Sequence, residues 1–469
     1  MAYTYYDRLS AMDAMFLEIE DAQTHMHVGS VGLYELGPLR KPDGGLDFAR
    51  VHHFAESQLH KNPRFRQRIE WIPAFDRPVW VDDASFNLAY HLRHTSLPRP
   101  GDERQLKRMV GRILSQKLDV GKPLWEIWVI EGVEGDRFAV LSKLHHCVAD
   151  GVAGTDLLNM LMGTDPNYEP DPDPHLWKPR KAPAGRRLML DEALRQAGAP
   201  LKLLRGSAES AGKPSGQVLD RAIEALRGVV HAAEAGLHPA SQTPLNAELG
   251  PHRRFDWTQF DLGEIKRAGK RVGGTVNDVA LAIVAGAVRR YLLDRAGAVD
   301  DLEFRVAVPV NMRTSDDDGR TGNRASSMVV TLPLAEKTPE GRLERIVELT
   351  REIKRSGESQ AVDLLGRFAD FLPPGVMAQF SRFGTQSAVN MVVTNVPGPP
   401  VPVYLLGARM LAAYPVMPLM PRQGLGIAML SYNGGFYCGL NSDWDAVPDL
   451  HDFVEEVARE YEALIKLGA

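Results

Sequence analysis

The chain has 469 residues, 44% of them hydrophobic and 25% charged, with a formal net charge of −5 at pH 7. That is ordinary globular composition with material for two or three structural units, and it carries no overall basic field that would point to nucleic acid. The two cysteines, Cys147 and Cys438, stand far apart, so there is neither a disulfide framework nor a zinc site, which fits a reducing compartment.

The opening stretch "MAYTYYDRLSAMDAMFLE" lacks a basic start followed by an apolar run and does not read as a signal peptide. "HVGSVGLYEL" and "RFAVLSKLHH" alternate as strands do, while "ERQLKRMVGRILSQKL" places Leu106, Met109, Val110, Ile113 and Leu118 at helical spacing. A proline- and aspartate-rich stretch, "GTDPNYEPDPDPHLWKPRKAPAG", then breaks regular structure. Two helical stretches follow. The first carries Arg186, Arg187, Lys202 and Arg205 around its apolar residues, as a linker helix or a helix lying on an anionic membrane would. The second sets Leu219, Ile223, Leu226 and Val230 on one stripe.

From about residue 250 the α/β alternation resumes. "TVNDVALAIVAGAVRRYLL" reads as a buried helix whose apolar run, Val279–Val288, falls short of the roughly 20 residues of a membrane span. "LEFRVAVPVNMR" puts Phe304, Val306, Val308 and Val310 on one strand face. "SMVVTLPL", "NMVVTNVPGPP" and "LGIAMLSYNGGFYCGLNSD" read as further strands or hairpins, and "VPDLHDFVEEVAREYEALIKL" as an amphipathic closing helix. The expected fold is therefore mixed α/β: a half over 1–165, a proline-rich and helical connector over 166–249, and a second half over 250–469.

The chemistry concentrates in "LSKLHHCVADGVAGTDLL", where a strand ends on two of the chain's 14 histidines. Side chains alternate along a strand, so His145 and His146 face opposite ways, and one can enter a cleft while the other packs behind it. Histidine suits proton transfer because its ordinary pKa lies near neutrality. Three other readings compete here: a buried structural histidine beside a turn-forming Asp-Gly, a metal site from His145, His146 and Asp150, and a Cys147–His146 nucleophile pair. Divergence of neighbouring strand positions counts against the last two. The absence of G-x-S-x-G removes the serine-hydrolase elbow.

"HHCVADG" matches H-H-x-x-x-D-G, and the chain from there resembles the chloramphenicol-acetyltransferase-like, CoA-dependent acyltransferase superfamily. "LSAMDAMFLEIE", "HMHVGSV", "RFRQR", "KLDVGKPLWEIWVIEG", "VPVNMR", "TGNRASSMVVTLPL", "TNVPGPP" and "VPDLHDF" narrow the resemblance to the bacterial wax ester synthase/diacylglycerol acyltransferases, nearly end to end. The H-x4-D spacing of glycerol-phosphate acyltransferases also occurs, but "TPEGRLER" reads better as a helix start, with Thr338 capping and Pro339 in the first turn.

The resemblance implies two related halves with an active-site tunnel between them. It makes His146 the general base, gives Asp150 a structural role held by Arg313, and leaves room for backbone at Gly151. Asn277 and Asp278 correspond to a family N-D pair close to the histidine, although both residue types also suit a helix N-terminus. Thr394 and Asn395 would contact the oxyanion or CoA, or simply form a turn, and Pro123, Leu124 and Trp125 would shape the tunnel. The implied reaction is direct transfer of a fatty acyl group from acyl-CoA to a diacylglycerol or a long-chain alcohol, with no metal, no resident cofactor and no acyl-enzyme. "MLAAYPVMPLM", Met410–Met420, is a candidate tunnel lining. The expected setting is cytoplasmic and peripheral, on the inner membrane face or lipid inclusions, as monomer or homodimer. Other readings are a condensation-type enzyme acting on a polyketide diol or an amine, and a non-catalytic protein of lipid inclusions.

Overall fold

The computed structural model describes residues 5–75, 77–148, 161–168, 177–195, 239–311, 325–356 and 388–466. The N-terminal half runs β1 (Asp7–Arg8), α1 (Ala11–Ile19), β2 (His27–Glu35), α2 (Phe48–Gln58), β3 (Gln67–Ile72), β4 (Arg77–Asp82), α3 (Leu88–His91), β5 (Leu92–Ser96), α4 (Glu103–Leu114), β6 (Trp125–Val133) and β7 (Arg137–His145). Residues 185–195 form helix α5. The C-terminal half runs β8 (Arg253–Asp261), α6 (Leu262–Arg271), α7 (Val276–Ala296), β9 (Arg305–Asn311), β10 (Ala325–Thr331), α8 (Pro339–Ser356), β11 (Met391–Pro397), β12 (Tyr404–Leu405), β13 (Ala408–Val416), β14 (Leu425–Tyr432), β15 (Gly435–Asp443) and α9 (Leu450–Lys466).

Local chemistry accounts for the main elements. A capping box closes the start of α4, with the Asp102 carboxylate accepting from the Gln105 backbone and the Gln105 side chain accepting from Asp102. Leu106, Val110 and Ile113 are buried on its inner face. The helix ends four residues before Leu118, which is buried all the same: its N–H reaches His27 Nε2 at 3.4 Å from the loop beyond. α7 opens on a second capping box, Thr275 with Asp278, and ends at Gly297, whose φ of 74° suits a residue without Cβ. Its run from Val279 to Val288 is buried on every side, which explains a hydrophobic helix without polar face. No single helix among the described residues is long and apolar enough to cross a membrane. Thr338 does cap the next helix, its hydroxyl accepting from Gly341 N–H, with Pro339 in the first turn.

Two six-stranded mixed sheets, ordered β12-β13-β2-β7-β6-β5 and β10-β9-β11-β14-β15-β8, form the two layers of the molecule, beside a small β1-β4-β3 sheet. β5–β6, β9–β11 and β11–β14 are parallel and the remaining pairs antiparallel. The N-terminal sheet is completed by β12 and β13, so the C-terminal half is not the uninterrupted segment 250–469. Residues 404–416 cross over: β13 pairs with β2, from Met410 opposite Tyr34 to Val416 opposite Gly29, and β12 pairs with β13. The crossover is pinned by side chains of the other sheet. Trp257 stacks on Tyr414 at 4.8 Å, Tyr432 and Tyr437 hydroxyls donate to the Met410 and Leu411 carbonyls, and Asn441 donates to that of Met417. A Cβ at Gly439 would overlap the Pro415 carbonyl oxygen, so only glycine lets the sheets approach this closely.

The connector is fastened rather than loose over its described part. Arg180 forms a two-pronged pair with Asp82 at 2.8 and 2.9 Å, Leu188 packs with Ile72, Val79 and Val81, and the buried Glu192 pairs with Arg8, Arg77 and Arg195. The second connector helix expected from sequence, with Leu219 to Val230, and Lys202 and Arg205 of the first, lie outside the described residues.

Candidate active site

β7 lies between β2 and β6, and from Phe138 to His145 every residue is buried, so the strand delivers its C-terminal end into the interior. His145 is the last residue of that strand. Its N–H donates to the Leu124 carbonyl at 3.0 Å, and it stands opposite His27 of β2. The Cys147 N–H donates to His145 Nδ1 at 3.1 Å, so the neutral ring carries its proton on Nε2. That nitrogen faces Glu20 Oε2 at 3.5 Å. Burial pushes the His145 pKa down to about 3, with His146 and Lys117 adding to the shift.

His146 begins the loop. Its N–H donates to the Met26 carbonyl at 2.7 Å, and its ring stacks on Phe16 of α1, centroids 3.9 Å apart. Phe16 belongs to an apolar group with Met15, Ile19, Met26 and Met420. Met420 follows the crossover strand, so His146 sits where the N-terminal half meets the chain returning to the C-terminal sheet. The residue is partly exposed, Nδ1 has no hydrogen-bond partner among the described residues, and burial pushes its pKa down to about 4. Near neutrality this imidazole is uncharged and able to accept a proton.

Cys147 points into the core as a free thiol, and burial raises its pKa well above the ordinary value, Asp13 and Glu20 adding to the effect. A thiol held protonated in this way is a poor nucleophile.

The tripeptide Pro123–Leu124–Trp125 forms the shoulder of this site. Besides the Leu124 carbonyl taken by His145, the Trp125 indole N–H donates to the Phe65 carbonyl at 2.9 Å and its ring stacks on His91 at 4.7 Å. Leu124 and Trp125 are buried, so they act by packing. Asn277 stands partly exposed in the first turn of α7. Both Asp278 oxygens are occupied: one accepts from Thr275 N–H and hydroxyl at 2.7 and 2.8 Å, the other from the Thr350 hydroxyl at 2.8 Å. That carboxylate closes a helix and has no donor to offer an oxyanion or CoA. Thr394 and Asn395 lie on β11 in parallel register with Ala428 and Met429 rather than in a turn. No hydrogen bond, ion pair or ring contact among the described residues joins Asn277, Asp278, Thr394 or Asn395 to either histidine. Asp150, Gly151 and Arg313 lie outside the described residues.

Sequence reasoning did not single out Phe16, Glu20 or Met26. The available signal was weak: a glutamate closing an apolar helix, then "HMH", whose His27 shares a register position with His145.

Residues 9–280 match the family described as wax ester synthase/diacylglycerol acyltransferase catalytic domain, and residues 321–465 match the WS/DGAT C-terminal domain. A putative diacylglycerol O-acyltransferase of Mycobacterium tuberculosis is 34% identical over 457 residues, covering 95% of this chain and 87% of the relative. A probable diacylglycerol O-acyltransferase of the same organism is 32% identical over 454 residues, covering 94% and 92%. Among solved structures, the wax ester synthase/diacylglycerol acyltransferase of Marinobacter aquaeolei VT8 superposes with a TM-score of 0.68 at 26% identity, over 97% of this chain and 98% of that one. The starter condensation domain of rhizomide synthetase shares the fold, with a TM-score of 0.57 at 13% identity over 98% and 93% of the two chains.

Proposed function

The chain belongs to the wax ester synthase/diacylglycerol acyltransferase family, and on that footing we propose that it moves a fatty acyl group from acyl-CoA to the hydroxyl of a diacylglycerol or a long-chain alcohol, with His146 as general base. The observation that carries this reading is the placement of His146, a partly exposed residue at the end of a buried strand whose ring stacks on Phe16 of an apolar group and whose Nδ1 has no hydrogen-bond partner among the described residues.

His146 takes the proton of the acceptor hydroxyl while that oxygen attacks the thioester carbonyl. The tetrahedral oxyanion then collapses, the C–S bond breaks, and CoA thiolate recovers the proton from His146. A general base contributes about 10²–10⁴ in rate. The burial that keeps His146 neutral also makes its imidazolium a strong acid, which favours return of the proton to the thiolate. No acyl-enzyme is required, in keeping with the protonated Cys147, and no metal is required. Of the C-terminal residues, Asn277 and the strand pair Thr394–Asn395 are the donors offered to the oxyanion or CoA. Met15, Phe16, Met26 and Met420 favour acceptors with long apolar tails.

Water-insoluble substrates call for contact with a lipid surface. Helix α5 supports it: Leu188 and Glu192 are buried beneath, while Leu190 and Leu194 are 64% and 71% exposed beside Arg186 and Arg187. The Leu190→Glu, Leu194→Glu double variant is expected to lose flotation with phosphatidylglycerol vesicles. Equal flotation of variant and parent rules out α5 as the contact.

The test of function is release of CoA thiol from palmitoyl-CoA, with product analysis, run separately with dioleoylglycerol and hexadecanol. Acceptor-dependent release that collapses in His146→Ala is the expected result. Release unaffected by that substitution removes His146 as the base, and no release with either alcohol removes the proposed acceptors.

A further inference from the structure

We propose that Glu20 is a positioning residue for the acyl transfer, one carboxylate that holds the backbone on both sides of His146. The inference rests on the reading of His146 as the base. Glu20 follows the last residue of α1, and its side chain is almost completely buried. Two chains of contacts lead from it to His146.

In the first, Oε2 accepts the Met26 N–H at 3.2 Å, and the Met26 carbonyl accepts the His146 N–H at 2.7 Å. In the second, the same oxygen lies 3.5 Å from His145 Nε2, while His145 Nδ1 accepts the Cys147 N–H at 3.1 Å. The backbone donor of residue 146 is thus tied to this oxygen through two hydrogen bonds, and the ring that receives the donor of residue 147 lies against the same atom. His145 Nε2 has no hydrogen-bond partner among the described residues, and Glu20 Oε2 is the carboxylate oxygen facing it at 3.5 Å, a charge placed beside the ring rather than a hydrogen bond. The second oxygen, Oε1, pairs with Lys117 at 3.2 Å from the protein surface. α1 carries Phe16 as well, so the helix that stacks on the His146 ring and the carboxylate that fixes its backbone move as one piece.

Another account of a buried carboxylate beside a lysine is an ion pair that only stabilises the fold. The two accounts separate on reach against charge. Glu20→Gln keeps the oxygen within reach of Met26 and His145 and removes the charge. Glu20→Asp keeps the charge and withdraws it by one methylene. A reacting group misplaced by about 1 Å can lose about 10² in rate.

The experiment measures kcat and KM for both variants beside the parent and His146→Ala, in the acceptor-dependent thiol assay. We expect Glu20→Asp to lose about 10²-fold in kcat with KM within about 3-fold, and Glu20→Gln to keep kcat within about 5-fold. The reverse order, equal loss in both, or equal activity in both overturns the proposal, since each makes charge or bulk rather than reach the deciding property. If Glu20→Asp does not fold, Glu20→Ser replaces it as the test of reach: a loss of about 10²-fold in kcat there beside near-parent kcat in Glu20→Gln supports positioning, and any other pattern overturns it. Full activity in His146→Ala refutes the base itself and is read independently of the Glu20 series.

Discussion

Lowering the pH from 7.5 to 5 is expected to destabilise this protein by an amount comparable with its whole stability. Three histidines around the site are held neutral by burial: His25 and His146 with pKa values of about 4, and His145 with about 3. In the unfolded chain each returns to about 6.5. At pH 5 the unfolded chain binds nearly one proton more per histidine, so stability falls with pH, at a cost of about 2 kcal/mol for each group. The contribution is fully present above pH 6.5 and is lost progressively as pH falls towards 4. Three groups together give about 6 kcal/mol, against about 5–15 kcal/mol for a typical domain. His27, also depressed by burial, acts in the same direction. Glu20 acts in the opposite one, because burial raises its pKa and the folded protein then binds its proton more readily. The assay is the urea midpoint at pH 7.5, 6.5, 5.5 and 5.0, with His25→Gln expected to flatten the pH dependence by about a third of the three-histidine effect. A midpoint unchanged from pH 7.5 to 5 refutes the reasoning.

Other expectations follow from single contacts. The kcat/KM profile is expected to stay level from pH 8 down to about 5.5 in folded protein, with the acid limb near 4, because His146 is already deprotonated there; a limb at the ordinary 6.5 counts against its assignment. Cys147→Ala is expected to keep transfer activity, with a loss of stability of about 1 kcal/mol, and abolished transfer would restore a thiol mechanism. Gly439→Ala drives a Cβ into the Pro415 carbonyl and should cost about 3 kcal/mol or more in the urea midpoint, since neither backbone can yield without parting the sheets. Arg342→Leu strips Glu460 of its buried partner at 2.5 Å, and with Arg290 still paired to the carboxylate should cost about 1–3 kcal/mol in the same assay.

What could be read from the sequence tracks how local the cause is. β7, β9 and α7 were legible because alternation or an unbroken apolar run follows from the element's own burial. Leu118 kept the rhythm of α4 beyond its end because a loop folding back over the same core buries the same residue. The crossover was not legible. "MLAAYPVMPLM" is apolar whether it lines a tunnel or bridges two sheets, and the residues that pin it, Trp257, Tyr432 and Tyr437, belong to other strands. Glu20 escaped for the same reason: its partners come from the residue before β2, the loop after α4 and the end of β7, and no spacing within one element relates them.

The paired histidines take their logic from that convergence. Strand pairing commits His145: its N–H is spent on Leu124, its Nδ1 accepts the Cys147 N–H, and its buried Nε2 faces Glu20 rather than the loop. The next residue is the first one free of the strand pairing, with its N–H on Met26 and its ring against Phe16. A base placed one position earlier would be locked in the sheet, and one placed later would lose the anchor directly behind it. On the mechanism proposed, adjacency divides the labour. The first histidine converts a buried carboxylate into loop geometry, and the second uses that geometry to move a proton.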